Sequence, residues 1–502
     1  MSGGARAARA ALIPAGIALF ILLATANAGG YRFGVSDQAF YEPAIRAQMD
    51  PALFPHDRPL LEAQSKLMAA DKILGGVART LHVGLPALFF AIYVLSLALL
   101  AAGGIAVARA LDFSWWATAA FLFALTLRHR IPKTGANSLE GYMHTRQLAF
   151  AVGALGVACL LRRRWGWMAA ALAATTVLHP TTGLWFSVCL VPAALVAAPG
   201  MRTWRPVLAG GVAIATLVLV TRSPIAPRLA IMDQPWLGVL ADKDYLFPTD
   251  WPLYAWVANL AYAPIVWAIY ARRAALGVAA PGERALALGV GALLLVFLIS
   301  VPLTAMHVAL AVQLQVTRVF WVMDFLATAY VVWWLSAAAA RRVAAPRLWS
   351  AATLGLFAML SVGRGAYVLY DQGADRGLVR IDIPSTAWVD AMQWLRAQPP
   401  GWNVLADPGH AWKYGLSVRV AAERDTVLEA IKDSALALYD RDIAMRVAER
   451  SDALRSFEDM SAADFRALDA KYNINAVVLA NPRTVDLPVL YRNSAFTIYG
   501  LR

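Results

Sequence analysis

A carboxylate follows the first apolar segment of the chain, where it can act at a membrane surface. Asp37 lies in the polar stretch 31–43, a few residues beyond the predicted membrane boundary. A carboxylate at headgroup depth can act as general base toward an acceptor hydroxyl, or it can bind a divalent cation such as Mg²⁺ or Mn²⁺. The alternative is a helix N-cap, in which Ser36 or Asp37 only starts the helix that follows.

A second polar segment, residues 128–146, combines basic residues with one acid. Basic residues on an outer membrane face are unexpected under the positive-inside rule. Lys133, His144 and Arg146 therefore predict a site for an anionic group such as a phosphate or pyrophosphate. Glu140 is the segment's only carboxylate, which makes it the candidate second acid of the site. A solvated loop in which Glu140 pairs with Arg146 or Lys133 would explain the same residues.

Two residues at predicted helix ends extend this set. His179 precedes Pro180 and is either a solvated capping residue or a metal ligand or phosphate donor. Arg318 begins an apolar run on the outer side, so its burial requires an anionic partner. A lipid phosphate would serve as that partner. Asp324, two helical turns further along the run, would serve as well.

These residues belong to a chain with the composition of a membrane protein. Of its 502 residues, 60% are hydrophobic and 15% are charged, whereas soluble proteins contain about 25% charged residues. A disordered chain, a collagen-like chain and an ordinary cytosolic enzyme are excluded. The net charge is +13, but the arginines cluster between apolar runs, so no nucleic-acid partner is expected. Cys159 and Cys189 lie within apolar runs and form no disulfide framework or zinc-ligand spacing.

The apolar runs predict about 11 membrane-spanning helices. They lie at about 11–29, 83–108, 113–127, 147–161, 166–178, 182–198, 206–221, 253–270, 285–305, 319–339 and 348–362. Arginines mark every second boundary, at Arg6, Arg9, Arg109, Arg162, Arg163, Arg164, Arg202, Arg205, Arg272, Arg273, Arg341 and Arg342. This alternation predicts an integral protein of the inner (cytoplasmic) membrane, with a cytoplasmic N-terminus and a periplasmic C-terminal part. Residues 24–28 have the small-residue character of a signal-peptide cleavage site, although an uncleaved anchor is favoured.

Two domains are expected in this mainly α chain. Residues 1–363 form a polytopic helical bundle, whose outer loop 30–82 should contain amphipathic helices at the membrane surface. Residues 364–502 form an extracytoplasmic soluble α/β domain. Its strands are expected at 403–406, 476–480 and 496–499, and its helices at 428–450 and 461–472, the latter capped by Ser461.

This layout resembles the GT-C superfamily of integral-membrane glycosyltransferases, which use polyprenyl-phosphate-linked sugars. Protein O-mannosyltransferases, oligosaccharyltransferase catalytic subunits and arabinosyltransferases belong to it, and bacterial GT-C-like membrane proteins are more similar still. The resemblance covers nearly the whole chain in layout and is carried by residues 36–57, 179–185 and 313–318. It implies a GT-C fold, a polyprenyl-phosphate sugar donor, contacts with membrane lipids and a glycan or lipid acceptor. The superfamily's first-loop acid corresponds to Asp37, and the second-loop acid corresponds loosely to Glu140.

The chain departs from the superfamily in two motifs. The usual first loop has a pair of adjacent or near-adjacent acids, whereas here Gln38 follows Asp37 and the next acid is Glu42. The resemblance therefore leaves open whether the chemistry depends on a divalent cation such as Mg²⁺ or Mn²⁺. Residues 412–415 match the Trp-Trp-Asp-Tyr-Gly motif of oligosaccharyltransferases only in part, so recognition of a peptide acceptor is not implied.

The expected function is transfer of a sugar from a polyprenyl-phosphate donor to an acceptor hydroxyl, with inversion and with Asp37 as base. Lys133, Arg146 and Arg318 would offset the charge on the leaving phosphate. The alternatives are a transporter of a lipid-linked or anionic substrate and a non-catalytic relative that only binds lipid. A transporter is disfavoured because carriers place ionisable residues near the membrane midplane, whereas here the polar residues concentrate at the outer surface.

Overall fold

A computed structural model describes residues 3–65, 68–198, 200, 226–338, 346–373 and 377–501. The first nine helices are α1 (Gly3–Asn27), α2 (Gln38–Met49), α3 (Arg58–Ser65), α4 (Ala70–Leu81), α5 (Leu85–Ala110), α6 (Trp115–Thr126), α7 (Thr145–Leu161), α8 (Trp165–Leu178) and α9 (Pro180–Ala197). They are followed by α10 (Gln234–Leu240), α11 (Leu253–Ala275), α12 (Glu283–Ala305), α13 (Ala309–Leu314), α14 (Val319–Trp333) and α15 (Pro346–Gly373). Up to residue 373, the described part of the chain is therefore mainly helical, as its hydropathy predicts.

Within the described ranges, six helical stretches are long and apolar enough to cross a membrane. They are Leu85–Ala110, Pro180–Ala197, Leu253–Ala275, Glu283–Ala305, Ala309–Ala337 and Arg347–Asp371. Four shorter apolar helices are Leu12–Asn27, Trp115–Thr126, Thr145–Leu161 and Trp165–Leu178. The run predicted at 206–221 lies outside the described residues, and the total of about 11 spans stays a prediction. The last long helix continues to Gly373, beyond the expected domain end at 363.

Glycines let the helices that carry the site approach each other closely. A Cβ atom on Gly153 of α7 would lie 2.4 Å from the Phe186 ring of α9. A Cβ atom on Gly289 of α12 would lie 2.2 Å from the Cys189 carbonyl oxygen. Small residues at such crossings allow the backbones of membrane helices to pack directly against each other. The close packing of α7 against α9 is also seen at their N-terminal ends, where the ring centroids of His144 and His179 lie 6.4 Å apart.

The C-terminal α/β unit (residues 377–501) is built on a small mixed sheet. Its helices are α16 (Ala387–Arg396), α17 (His410–Lys413), α18 (Val418–Ala421), α19 (Ala430–Leu436), α20 (Arg441–Ala453) and α21 (Ala462–Tyr472). After β1 (Tyr31–Arg32) and β2 (Val379–Arg380), which pair with each other, the strands are β3 (Asn403–Leu405), β4 (Asp425–Thr426), β5 (Ala476–Ala480), β6 (Val489–Arg492) and β7 (Phe496–Gly500). The five-stranded order is β4-β3-β5-β7-β6, with β3 parallel to both its neighbours and β7 antiparallel to both of its own.

The three predicted strands coincide with β3, β5 and β7, and the predicted capping residue Ser461 forms a capping box with Asp464. The single helix expected over 428–450 is wrong. It is interrupted after Leu436, and α20 begins only after Asp440, whose carboxylate accepts a hydrogen bond from the Asp442 amide at 2.9 Å. An aspartate favours this capping conformation over the helix interior.

The outer segment 30–82 lies beneath the α/β unit. Residues 38–45 of α2 are all buried, so this helix is covered by protein. Asp57 is fully buried and accepts from Arg419 Nε at 2.7 Å, and Arg419 Nη1 in turn donates to Asp433 at 2.6 Å. Removing one member of such a buried ion-pair network typically costs about 3–5 kcal/mol. The network therefore joins α19 to the residue that precedes α3.

Candidate active site

Asp37 projects its carboxylate into a cavity instead of capping a helix. It occupies the residue before α2, but its side chain makes no capping hydrogen bond. Its Oδ1 accepts from Lys432 Nζ at 2.8 Å and its Oδ2 lies 3.2 Å from His144 Nε2. Burial would raise the pKa of Asp37, but the Lys432 ammonium and the His144 hydrogen bond outweigh it and hold that pKa well below its usual range. Asp37 is therefore ionised at neutral pH.

His144 is a neutral hydrogen-bond donor to Asp37. Its Nδ1 accepts from the Arg146 backbone amide at 3.2 Å, as the N-cap of α7. The proton of the neutral ring consequently sits on Nε2, which faces Asp37. Burial, reinforced by the Arg146 charge, lowers the pKa of His144 to about 4. His144 thus orients the carboxylate without adding a full charge.

Arg146 and Glu140 form a buried ion pair in the wall of the site. Arg146 Nη2 donates to Glu140 Oε1 at 2.7 Å, and both side chains are at most 5% exposed. Glu140 also accepts from Asn137 at 3.3 Å and from Arg128 at 3.5 Å. The Glu140 carboxylate is thus committed to Arg146, which was one of the two pairings that the sequence allowed. Its geometry suits a residue that holds Arg146 in place better than a second catalytic acid.

Arg318 is a buried cation of this site, and no ion pair with an acid is present for it among the described residues. It ends a short 3-10 turn (Val316–Arg318) after Gln315, which has a left-handed backbone with φ 51°. Among the described residues, no carboxylate lies within ion-pair distance of Arg318, and its buried Nε makes no hydrogen bond. The pairing with Asp324 considered from sequence is wrong, because Asp324 Oδ2 contacts His129 Nδ1 at 2.9 Å instead. An anion from outside the chain can fill this position.

His179 lines the same cavity as a helix cap. Its Nδ1 accepts from the Thr182 amide at 3.3 Å and lies 2.9 Å from the Thr182 hydroxyl. Burial, together with the nearby His144 and Arg318, holds the pKa of His179 well below its usual range. Because Nδ1 is the acceptor, Nε2 carries the proton of the neutral ring. The capping role anticipated from Pro180 is therefore present, and it leaves His179 able to donate to a ligand.

Lys133 lies apart from this group. Its ammonium pairs with the exposed carboxylate of Asp244, and it lines neither of the cavities described next. The other sequence-predicted residues, Asp37, Glu140, His144, Arg146, His179 and Arg318, all face one or both of these cavities.

Two cavities meet at Asp37. The inner cavity, of about 140 Å³, is lined by Asp37, Tyr41, Met68, His144, Arg146, His179, Tyr245, Gln315, Arg318, Leu436 and Tyr439. The outer cavity, of about 660 Å³, is lined by Ser36, Asp37, Arg128, Asn137, Glu140, Tyr142, Arg146, Arg318, Trp412 and Lys432. Asp37, Arg146 and Arg318 belong to both linings, so a ligand spanning the junction contacts all three. The Trp412 side chain, 82% exposed, stands at the rim of the outer cavity.

Sequence reasoning missed Lys432 and Tyr439. Lys432 lies 395 positions from Asp37 in the chain, and no local pattern links the two. Tyr439 lies in the turn that interrupts the predicted helix, and its hydroxyl accepts from Gln315 Nε2 at 2.9 Å. The sequence signal that could have placed Tyr439 outside a helix is Asp440, because an aspartate at that position can start a new helix.

The donor set around Asp37 does not fit a divalent cation. Mg²⁺ and Mn²⁺ prefer several oxygen ligands, but both Asp37 oxygens face nitrogen donors. Glu42, the next acid, is buried against Arg46, and Glu140 is held by Arg146. Within the described residues, no three His, Cys, Asp or Glu side chains cluster as a metal site would require.

Comparison with known proteins identifies the fold. No family model matches the sequence, and no curated protein matches it. The fold is similar to that of the oligosaccharyltransferase of Archaeoglobus fulgidus in its apo form, with a TM-score of 0.50 and 11% identity over 93% of this chain and 69% of that chain. The same enzyme tethered to an acceptor peptide containing the NVT sequon gives a TM-score of 0.46 and 12% identity over the same shares. The comparison with the apo form shows that this chain shares the fold of that oligosaccharyltransferase, an enzyme of the kind whose GT-C layout the sequence resembles.

Proposed function

We propose that this protein transfers a sugar from a polyprenyl-phosphate-linked donor to a hydroxyl of a glycan or lipid acceptor, at the outer face of the cytoplasmic membrane. The observation that carries the proposal is Arg318, whose guanidinium has no acidic partner in the described chain and lines the junction of two cavities beside an ionised Asp37. A substrate that brings both a phosphate and a hydroxyl to activate would complement these two charges.

The donor phosphate binds between Arg146 and Arg318. Both arginines line both cavities, so their guanidinium groups can donate to the oxygens of a phosphate bound at the junction. Hydrogen bonds that involve a charged group are worth about 1.5–3 kcal/mol each. Glu140 keeps Arg146 in position for this contact through their ion pair.

The acceptor hydroxyl approaches Asp37 from the outer cavity and attacks the anomeric carbon on the face opposite the phosphate. The new bond joins the hydroxyl oxygen to the anomeric carbon. The bond from that carbon to the phosphate oxygen breaks, and polyprenyl phosphate leaves with the electron pair. The hydroxyl proton passes to Asp37, and the configuration of the sugar is inverted.

The low pKa of Asp37 determines at which stage of the reaction the carboxylate accepts the proton of the acceptor hydroxyl. A carboxylate with such a low pKa is too weak a base to deprotonate a free hydroxyl. The acceptor oxygen becomes strongly acidic once its bond to the sugar is forming, and Asp37 can then accept the proton. Before that point, Asp37 accepts a hydrogen bond and orients the hydroxyl, while His144 holds the carboxylate in place.

The test is release of polyprenyl phosphate by protein in nanodiscs supplied with a mixture of polyprenyl-phosphate sugars. We expect Asp37→Asn to lower the rate at least about 100-fold, since a positioned base contributes about 10²–10⁴-fold. The matched control is Asp452→Asn, because the Asp452 side chain forms an exposed ion pair with Arg455, away from both cavities. Unchanged release by Asp37→Asn would refute the role of Asp37. Saturable lipid binding without release would instead indicate a non-catalytic lipid-binding protein or a transporter.

A further inference from the structure

We propose that Lys432, a lysine of the α/β unit, takes the place of a divalent cation beside Asp37, so that sugar transfer by this chain requires no Mg²⁺ or Mn²⁺. This inference rests on the function proposed above. The Lys432 ammonium lies 2.8 Å from Asp37 Oδ1 and lines the same outer cavity. It provides positive charge where a metal ion bound to the first-loop acid would provide it.

The carboxylate offers a cation no free coordination position. Asp37 Oδ1 accepts from the Lys432 ammonium, and Oδ2 accepts from the His144 Nε2–H. His144 cannot turn a lone pair toward a metal without losing its cap on α7, because its acceptor nitrogen already binds the Arg146 amide. To bind both oxygens of this one carboxylate, a metal cation would have to displace the Lys432 ammonium and the neutral His144 ring.

The remaining acids near the site are equally committed. Glu42 is fully buried against Arg46, and Glu140 is held by the guanidinium of Arg146 at 2.7 Å. If Glu140 turned toward Asp37, the buried Arg146 would be left unpaired, which is strongly unfavourable. Glu42 would have to give up its ion pair with Arg46, which also pairs with Glu423 at 2.8 Å. The acid that many metal sites would use as a second ligand is thus replaced here by a cation.

The backbone that carries Lys432 is fixed for this purpose. Lys432 lies in α19, and Asp433 beside it accepts from the fully buried Arg419 at 2.6 and 3.1 Å. Arg419 also donates to Asp57 in the outer segment, so one network anchors both α19 and the chain that leads from Asp37. The ammonium is therefore held opposite Asp37 by a preorganised scaffold, as an electrostatic group in a transfer site should be.

The charge of Lys432 has a defined place in the reaction. It pairs with Asp37 before transfer, and it faces the junction where negative charge develops on the leaving phosphate. When Asp37 takes the acceptor proton and becomes neutral, the ammonium is released from its ion pair. Lys432 can then stabilise the departing polyprenyl phosphate, which is the role that a metal ion would otherwise fill.

The first experiment measures Mn²⁺ binding, which needs no catalytic activity. Purified protein in nanodiscs is titrated with Mn²⁺, and the free ion is followed by electron paramagnetic resonance. We expect the wild-type and Asp37→Asn curves to coincide. Lys432→Asp places a second carboxylate opposite Asp37, so we expect it to create a Mn²⁺ site that is lost again in the Lys432→Asp, Asp37→Asn double variant. Saturable Mn²⁺ binding by wild type that Asp37→Asn abolishes would overturn the inference.

The second experiment measures transfer with and without a chelator. We expect wild type to keep its rate in EDTA, Lys432→Met to lose about 10²-fold, as removal of a preorganised charged donor does, and Lys432→Arg to recover part of the loss. Lys471→Met is the matched control, because Lys471 forms an exposed ion pair with Glu449 in the same unit. Loss of wild-type transfer in EDTA with recovery on added Mn²⁺ would overturn the inference. Absence of transfer from every protein would refute the proposed function, while the Mn²⁺ titration would still decide the role of Lys432.

Discussion

Replacing Arg318 should make the protein more stable and bind its donor less well. Arg318→Met keeps a long flexible side chain but removes a guanidinium whose buried Nε makes no hydrogen bond within the described chain. An unsatisfied buried polar group costs about 1–3 kcal/mol, so we expect the free energy of unfolding of the unliganded protein to rise by about that amount. Residues kept for function often carry such a cost in stability.

Donor binding should change in the opposite direction. If Arg318 binds the donor phosphate, Arg318→Met loses about 1.5–3 kcal/mol, which raises Kd about 10- to 150-fold. The assay is fluorescence titration of a labelled polyprenyl-phosphate sugar into nanodiscs, combined with thermal unfolding of the same samples without ligand.

Arg146→Met provides the contrast that makes the result interpretable. Arg146 is also a buried cation of the site, but its loss leaves the buried Glu140 unpaired. That variant should be destabilised by about 3–5 kcal/mol and should also bind donor less tightly. If Arg318→Met proves destabilised like Arg146→Met and binds donor with unchanged Kd, then Arg318 has a structural partner and the reasoning is refuted.

Three further predictions follow from the buried acids and the exposed rim. Burial alone raises the pKa of Asp71 from its usual 3.8 to about 7, so the folded protein binds this proton more tightly than the unfolded chain and loses stability as the pH rises from about 4 to 7. Asp71→Asn should therefore be more stable than wild type by up to about 4 kcal/mol at pH 8 and should differ little from it at pH 4. A stability difference that is independent of pH would contradict this prediction. The transfer rate should stay constant between pH 5 and 7, because Asp37 is ionised and His144, with a pKa of about 4, is neutral throughout this range. A kcat that falls as the pH drops below about 6.5 would contradict this, since it would show that a histidine of the site becomes protonated within the range. Trp412→Ala should raise KM for the acceptor about 2- to 10-fold through loss of an aromatic contact with unchanged thermal stability, since the side chain is 82% exposed, and an unchanged KM would remove Trp412 from the acceptor site.

The sequence predicts which helix ends carry the residues of the site more readily than it predicts the contacts between those residues. His144, His179 and Arg318 each precede a helix of the bundle, and Asp37 follows the first apolar helix. The alternation of apolar runs and arginine clusters therefore predicts that the four residues gather on one face of the bundle. The GT-C-like fold is confirmed by the comparison with the archaeal enzyme. Short-range capping is also readable, as Ser461 and its capping box illustrate.

Contacts that depend on side-chain direction could not be predicted. Asp324 was a reasonable partner for Arg318 by spacing, but it turns toward His129 across the bundle. Lys432 reaches Asp37 because α19 is fixed by Arg419 and Asp57, and such a buried network depends on how two distant segments pack. Tyr439 lines the inner cavity from the short connection between the helix that ends at Leu436 and the helix that Asp440 caps.

The most direct test of the central claim is a cryo-electron microscopy structure of the Asp37→Asn variant in nanodiscs with a polyprenyl-phosphate sugar. We expect the donor phosphate within hydrogen-bond distance of Arg318 and Arg146, and the anomeric carbon facing residue 37 from the junction of the two cavities. Donor density elsewhere on the molecule, with the inner and outer cavities unchanged, would contradict it.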